Sequence, residues 1–163
     1  MKAMRLWEQA AAESSPLRLE EVPRPTAGSG QVRLRVQTCG VCRTDLHIIE
    51  GDLHPPALPV IPGHQVVGEV ISIGAEVSGV SVGDRVGIPW MYSVCGVCPA
   101  CRRGEENLCP NARFTGFDVD GGFAEEMVVE ENTVLALPDG ISDLQAAPLL
   151  CAGIIGYRSL KQA

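Results

Sequence analysis

Between Gln31 and Cys39 the chain alternates. Val32, Leu34 and Val36 point one way, Arg33, Arg35 and Gln37 the other, a period of two that predicts a strand with one buried face. His64 to Ile73 is apolar and β-branched, with glycine on both sides. Gly83-Asp84 separates Val82 from the short run Arg85 to Ile88, and Gly121-Gly122 precedes Phe123 to Val129. Each run predicts a further strand. With 18 glycines and 12 prolines as punctuation, the first 140 or so residues read as an all-β barrel or sandwich. The Pro/Gly stretch Val22 to Gly30 reads as a loop within the domain.

The period changes near residue 140. Ser142 followed by Gln145 fits a capping box, which satisfies free amides at a helix start. Pro148 suits the first turn of a second helix, where its missing N–H costs little, and Leu149 to Leu160 continues as helix. The nearly apolar stretch Ala146 to Tyr157 is too short to span a bilayer and reads as a buried helix. The sequence stops at Ala163 with no glycine cap, turn or closing strand, as though partway through an element.

Length and charge narrow the classes. At 163 residues one domain can bury ~70% of its unfolded surface. The net charge is −7, from 13 Lys+Arg against 20 Asp+Glu, and no basic stripe marks a nucleic-acid footprint. Met1 to Ser15 lacks a signal-peptide pattern. No nucleic-acid partner, no membrane and a cytoplasmic setting are the expectations.

Four of the seven cysteines, Cys95, Cys98, Cys101 and Cys109, fall within fifteen residues as C-x2-C-x2-C-x7-C. Four thiolates at tetrahedral corners form a closed, structural zinc site, here stapling a lobe of about residues 91–113. An iron–sulfur run ends C-x3-C-P; Pro110 mimics that ending, but the last gap is wrong. Disulfides suit secreted chains, and this cysteine count is odd.

Cys39, Cys42 and Cys151 remain, and all three histidines, His47, His54 and His64, lie within eighteen residues. Catalytic zinc takes three protein ligands and keeps one position open, and two cysteines with one histidine form one such set. No local spacing joins Cys42, His64 and Cys151. Singly, each residue has a plainer reading. Cys39 with Cys42 could be a redox pair, Cys151 a buried helix cysteine, His64 and His54 structural or loop residues, Thr44 a helix cap, Arg43 a solvated charge and Trp90 core packing.

Taken in order, Cys39-Gly-Val-Cys-Arg-Thr-Asp-Leu-His47, Pro62-Gly-His64, Gly83-Asp-Arg-Val86, the cysteine cluster and Pro148-Leu-Leu-Cys-Ala-Gly153 resemble the zinc-dependent medium-chain alcohol dehydrogenases, most similar to their bacterial and yeast-type branch, over nearly the whole chain. The resemblance implies a mainly β, GroES-like partly open barrel with short helices, a zinc-stapled lobe and a C-terminal helix. It implies oxidation of small primary or secondary alcohols to aldehydes or ketones with NAD(P), two Zn2+ per chain, and a homo-oligomer for the full-length enzyme. It casts Cys42, His64 and Cys151 as catalytic-zinc ligands and the clustered cysteines as structural ones. Asp45 then orients His64, Thr44 and His47 relay the alcohol proton through the cofactor ribose, Arg43 meets the pyrophosphate, and Trp90 narrows the substrate pocket. Cys39 is not a ligand in that family.

Two positions depart from the family pattern. Gln65 stands where many relatives have Glu, and Ile155 where they often have Thr. The whole of 1–163 reads as the GroES-like catalytic domain, with the family's Rossmann domain absent. No G-x-G-x-x-G occurs; Gly28-Ser-Gly30-Gln-Val-Arg33 lacks the third glycine and precedes a strand rather than a helix. Without a bound nicotinamide there is no hydride acceptor, so this chain is expected to fold, bind zinc and turn over alcohol poorly or not at all. The competing readings are a non-catalytic zinc-binding structural or redox-switch module and an iron–sulfur electron carrier.

Overall fold

The alternation at residues 31–39 becomes an interior strand of the main sheet, paired on both sides. A computed structural model describes residues 1–163. In chain order its elements are β1 (Lys2–Leu6), β2 (Leu17–Glu21), β3 (Gln31–Gly40), α1 (Arg43–Glu50), β4 (Gln65–Ile73), β5 (Arg85–Ile88), β6 (Met91–Ser93), α2 (Pro99–Arg102), β7 (Arg113–Phe114), β8 (Glu126–Glu130), β9 (Leu135–Ala136), α3 (Asp143–Pro148) and α4 (Ile154–Gln162). The main sheet is antiparallel with order β8-β3-β4-β5-β9; β1-β2 and β6-β7 are separate two-stranded ribbons.

Register carries the hydrophobic pattern into the core. Val32 pairs with Val129 and Ile73, and Leu34 with Met127 and Val70. Val32, Leu34, Val66, Val70, Val86, Ile88, Met127 and Val129 form one buried cluster with Tyr92. Two bulges between β3 and β4 bend the sheet. Bridges Ala3 to Ala124 and Leu6 to Val60 bring β1 across its open side. The result is the mainly β, partly open barrel with short helices. Leu34 is fully buried, so Leu34→Ala is expected to lower stability by about 2–5 kcal/mol through lost burial and a residual cavity. Urea denaturation should show a lower midpoint with an unchanged slope.

The C-terminal helical region differs from the sequence reading. The capping box forms: Ser142 Oγ accepts from Gln145 N at 3.3 Å, and the Gln145 side chain reaches back to the Ser142 amide. Pro148, however, closes α3 instead of opening a helix, and Leu149–Gly153 winds as a π-helical turn before α4. Proline withholds one N–H from the helical ladder, and the turn after it is wound wider. Nor is the apolar stretch buried throughout. Ala146, Ala147 and Leu150 pack on Val67, whereas Ile154, Ile155 and Tyr157 are exposed. No helix is long and apolar enough to cross a membrane.

Candidate metal centres

The clustered cysteines converge through local chain geometry. Gly96 turns the backbone with φ +70°, a conformation glycine adopts without a side-chain clash. Cys98 caps α2, with Pro99 at its first position, and the Cys98 sulfur accepts from Cys101 N at 3.5 Å. Cys95 Sγ accepts from Cys98 N at 3.3 Å and Cys109 Sγ from Cys95 N at 3.5 Å. The sulfurs stand 3.5 Å apart for Cys98–Cys101, 3.6 Å for Cys95–Cys109 and 4.0 Å for Cys95–Cys101. Four sulfurs each about 2.3 Å from one zinc would be spaced about 3.8 Å apart, whereas a disulfide needs about 2.05 Å. All seven cysteines are free. The spacing leaves room for one ion rather than a multi-iron cluster. Amides of Val97 and Cys98 bring the Cys95 thiol down to about 6, while burial and then the Cys98 sulfur push Cys101 up to about 12. Sulfurs this close cannot all ionise unless a cation shares their charge.

The second group is assembled from distant segments. Cys42 is the N-cap of α1, and Asp45, three residues on, accepts from the Cys42 amide at 2.7 Å. The other Asp45 oxygen accepts from Gly63 N at 3.1 Å and from His64 Nδ1 at 3.1 Å. Both Asp45 and His64 are fully buried. Gly63 has φ +98°, and a Cβ there would lie 2.6 Å from Phe123 and 2.9 Å from the Cys39 sulfur. Glycine is therefore needed at position 63 to deliver the neighbouring imidazole.

The carboxylate fixes the proton on Nδ1. Nε2 is left as an acceptor, and it is buried with no hydrogen-bond partner. It converges with the sulfurs of Cys42 and Cys151, which are 3.9 Å apart; all three ligand atoms lie within 4.8 Å of one another. An orphaned buried acceptor is costly, and a soft divalent cation answers both it and the two sulfurs. Burial raises the Cys42 thiol pKa, but hydrogen bonds from the Thr44 amide and hydroxyl pull against it, and the net value is lowered. Burial and then the charge of Cys42 push Cys151 up to about 11. Burial disfavours protonated His64, yet Asp45 outweighs it, so His64 is raised.

The remaining residues fall around this group to different degrees. Thr44 Oγ1 is 3.8 Å from the Cys42 sulfur. The Trp90 ring meets His64 edge-on, with centroids 4.8 Å apart, and stacks on Phe114 at 4.9 Å. Gln65 is buried at the start of β4, against Gly40. His47 pairs its Nδ1 with Asp52 at 2.6 Å on a half-buried side chain. Arg43 is exposed on the first turn of α1. Ile155 is exposed on α4, and His54 bonds Gln9 in an exposed loop. Burial pushes the Cys39 thiol up to about 12, which speaks against a redox pair with Cys42. Phe114 and Phe117, packed on Trp90, were not singled out by sequence.

The family described as the alcohol dehydrogenase GroES-like domain matches residues 28–139. The chain belongs to this family. As a GroES-like alcohol dehydrogenase domain, it is 50% identical, over 98% of its length, to "Probable alcohol dehydrogenase AdhA" of Mycobacterium tuberculosis, of which it covers 48%. It superposes on an alcohol dehydrogenase of the archaeon Aeropyrum pernix with a TM-score of 0.85 and 40% identity, covering 99% of this chain and 48% of that one. A protein of Sinorhizobium meliloti 1021 described as a "putative zinc-binding dehydrogenase", solved with NADP, gives a TM-score of 0.79 and 32% identity over 90% of this chain and 41% of that one. The domain spans about half the length of the curated relatives it matches.

Proposed function

We propose that residues 1–163 form the catalytic domain of a zinc-dependent alcohol dehydrogenase, with the cysteine lobe at about 91–113 as its structural-zinc staple. The observation that carries this reading is the buried, unpartnered Nε2 of His64 facing two sulfurs. Three protein donors leave one coordination position free, the mark of a catalytic rather than structural site. Zinc held by Cys42, His64 and Cys151 supplies a Lewis acid that polarises a substrate oxygen, and NAD(P) is the hydride acceptor.

The chain's own residues do the rest. Asp45 holds the His64 proton on Nδ1 and keeps Nε2 aimed at the sulfurs. Thr44 places its hydroxyl beside the Cys42 sulfur, where it accepts a hydrogen bond from a small alcohol. His47, three residues on and on the same helical face, is oriented by Asp52 and lies where a proton can leave to solvent. Gln65 keeps a neutral amide near the site. Trp90, wedged between His64 and Phe114, limits substrate width and favours short alcohols. Arg43 offers a cation to the cofactor pyrophosphate.

Metal analysis tests the reading. The purified chain should carry two zinc ions, and Cys42→Ala should carry one. A single zinc in the unaltered chain would replace this proposal with a structural zinc module. These residues contain no G-x-G-x-x-G phosphate cradle. Alcohol oxidation coupled to NAD is therefore expected to be near background for this chain alone, and robust turnover would overturn that expectation.

A further inference from the structure

Two of the three donors in the second site are locked by one buried network, in which Asp45 ties the Cys42 amide to His64. Cys151 has no such local anchor. It sits in the π-helical turn after α3, so its position is inherited from α3. The apolar face of α3 rests on Val67 of β4, and two further anchors lie on β5. Arg85 and Gly87 are two residues apart on that strand and so face the same side. Arg85 Nε donates to Asp143 Oδ1 at 2.7 Å, and its Nη2 and Nη1 donate to the carbonyls of Ile141 at 2.9 Å and Pro138 at 3.4 Å. One guanidinium thus grips the first residue of α3 and the turn before it. At Gly87 a Cβ would lie 2.7 Å from Leu150 Cδ2 and 3.0 Å from Leu137 Cδ2. The missing side chain lets Leu150, the neighbour of Cys151, seat on the strand.

We infer that Arg85 and Gly87 form a cradle on β5 that sets the position of Cys151, making them positioning residues for the second metal site although neither touches it. The inference rests on the proposal that Cys42, His64 and Cys151 bind one metal. It also gives a role to the Gly-Asp-Arg-Val run at 83–86. Leverage explains the effect. The helical rise of about 1.5 Å per residue puts Cys151 about 12 Å beyond Asp143. A tilt of about 10° at the helix start would therefore move the sulfur by about 2 Å, against a tolerance of about 0.2 Å in a metal–sulfur distance. A partly exposed ion pair contributes little to global stability, so the consequence falls on the site and not on the fold.

The test is competition between the chain, loaded with Co2+ at both sites, and a chelator, with thiolate-to-cobalt absorption as the readout. Arg85→Met should weaken the second site about 10–100-fold, leaving cluster affinity and melting temperature nearly unchanged. Arg85→Lys should not restore it, because one ammonium cannot reproduce three directed contacts. Asp143→Asn and Gly87→Ala should each give a smaller loss, and they carry the test if Arg85→Met does not fold. Wild-type second-site affinity in the folded variants overturns the cradle. So does a loss matched at the cluster, which marks a general structural role. One Co2+ in the unaltered chain sinks the metal-site proposal itself.

Discussion

Asp45→Ala is expected to empty the second metal site and to destabilise the domain by about 3–5 kcal/mol. The carboxylate is fully buried and accepts from the Cys42 amide, the Gly63 amide and His64 Nδ1. Alanine would strand all three donors where water cannot reach them. A single buried group left unsatisfied costs about 1–3 kcal/mol, and breaking a buried charge pair about 3–5 kcal/mol. Partial relaxation keeps the total nearer the second figure. His64 would lose the partner that fixes its tautomer, and Cys42 the cap that holds its backbone. Asp45→Asn keeps the shape and one acceptor oxygen, so its stability loss should be smaller, while metal affinity still falls. Urea denaturation and zinc content check both variants. Two zinc ions bound at wild-type affinity in Asp45→Ala would contradict the account.

Cys98→Ala is expected to have a comparable effect, confined to the lobe. Between Ser93 and Ala112 only Ala100 and Cys109 are buried, so the lobe lacks an apolar core of its own. Its order rests on the sulfurs and whatever ion they share. Structural zinc is worth roughly 10–16 kcal/mol in small peptides, more than so short a segment gains from its hydrogen bonds. Hydrogen exchange should show protection across 93–112 falling by about 10³-fold or more. The amides of β3, β4 and β8, held by the Val32–Leu34–Val129 cluster, should change little. Uniform loss of protection across sheet and lobe would contradict a separable staple. Arg158 bonds Asn107 from α4 at 3.3 Å, so weak loosening of that helix is expected to accompany the change.

The strands were legible where alternation or a β-branched run met a turn residue. β3 runs from Gln31 to Gly40 and β5 from Arg85 to Ile88, close to the sequence reading. β6, β7 and β9 are two or three residues long, too short for a period to register, and tertiary pairing makes them. Phe123 to Glu125 read as strand, but β8 begins at Glu126, because the chain there first crosses to bond with Met4 and Lys2. The cysteine cluster was legible because its spacing is local. The second group was not legible from spacing, since Cys42 and Cys151 are 109 positions apart; only resemblance joined them. The π-helical turn has no signature beyond Pro148, and nothing in the sequence around Arg85 announces a grip on residues 138–143. Such features are decided by packing.

The contrast between a self-contained cluster and a site completed from afar has a consequence during synthesis. Once Cys109 has cleared the ribosome, all four of its group are available for loading. Cys42 and His64 emerge earlier still, yet wait for Cys151, which follows Cys109 by roughly 2–8 s at about 5–20 residues per second. If the two proposed metal sites load as they are completed, the nascent polypeptide would acquire its staple first and its reactive ion last.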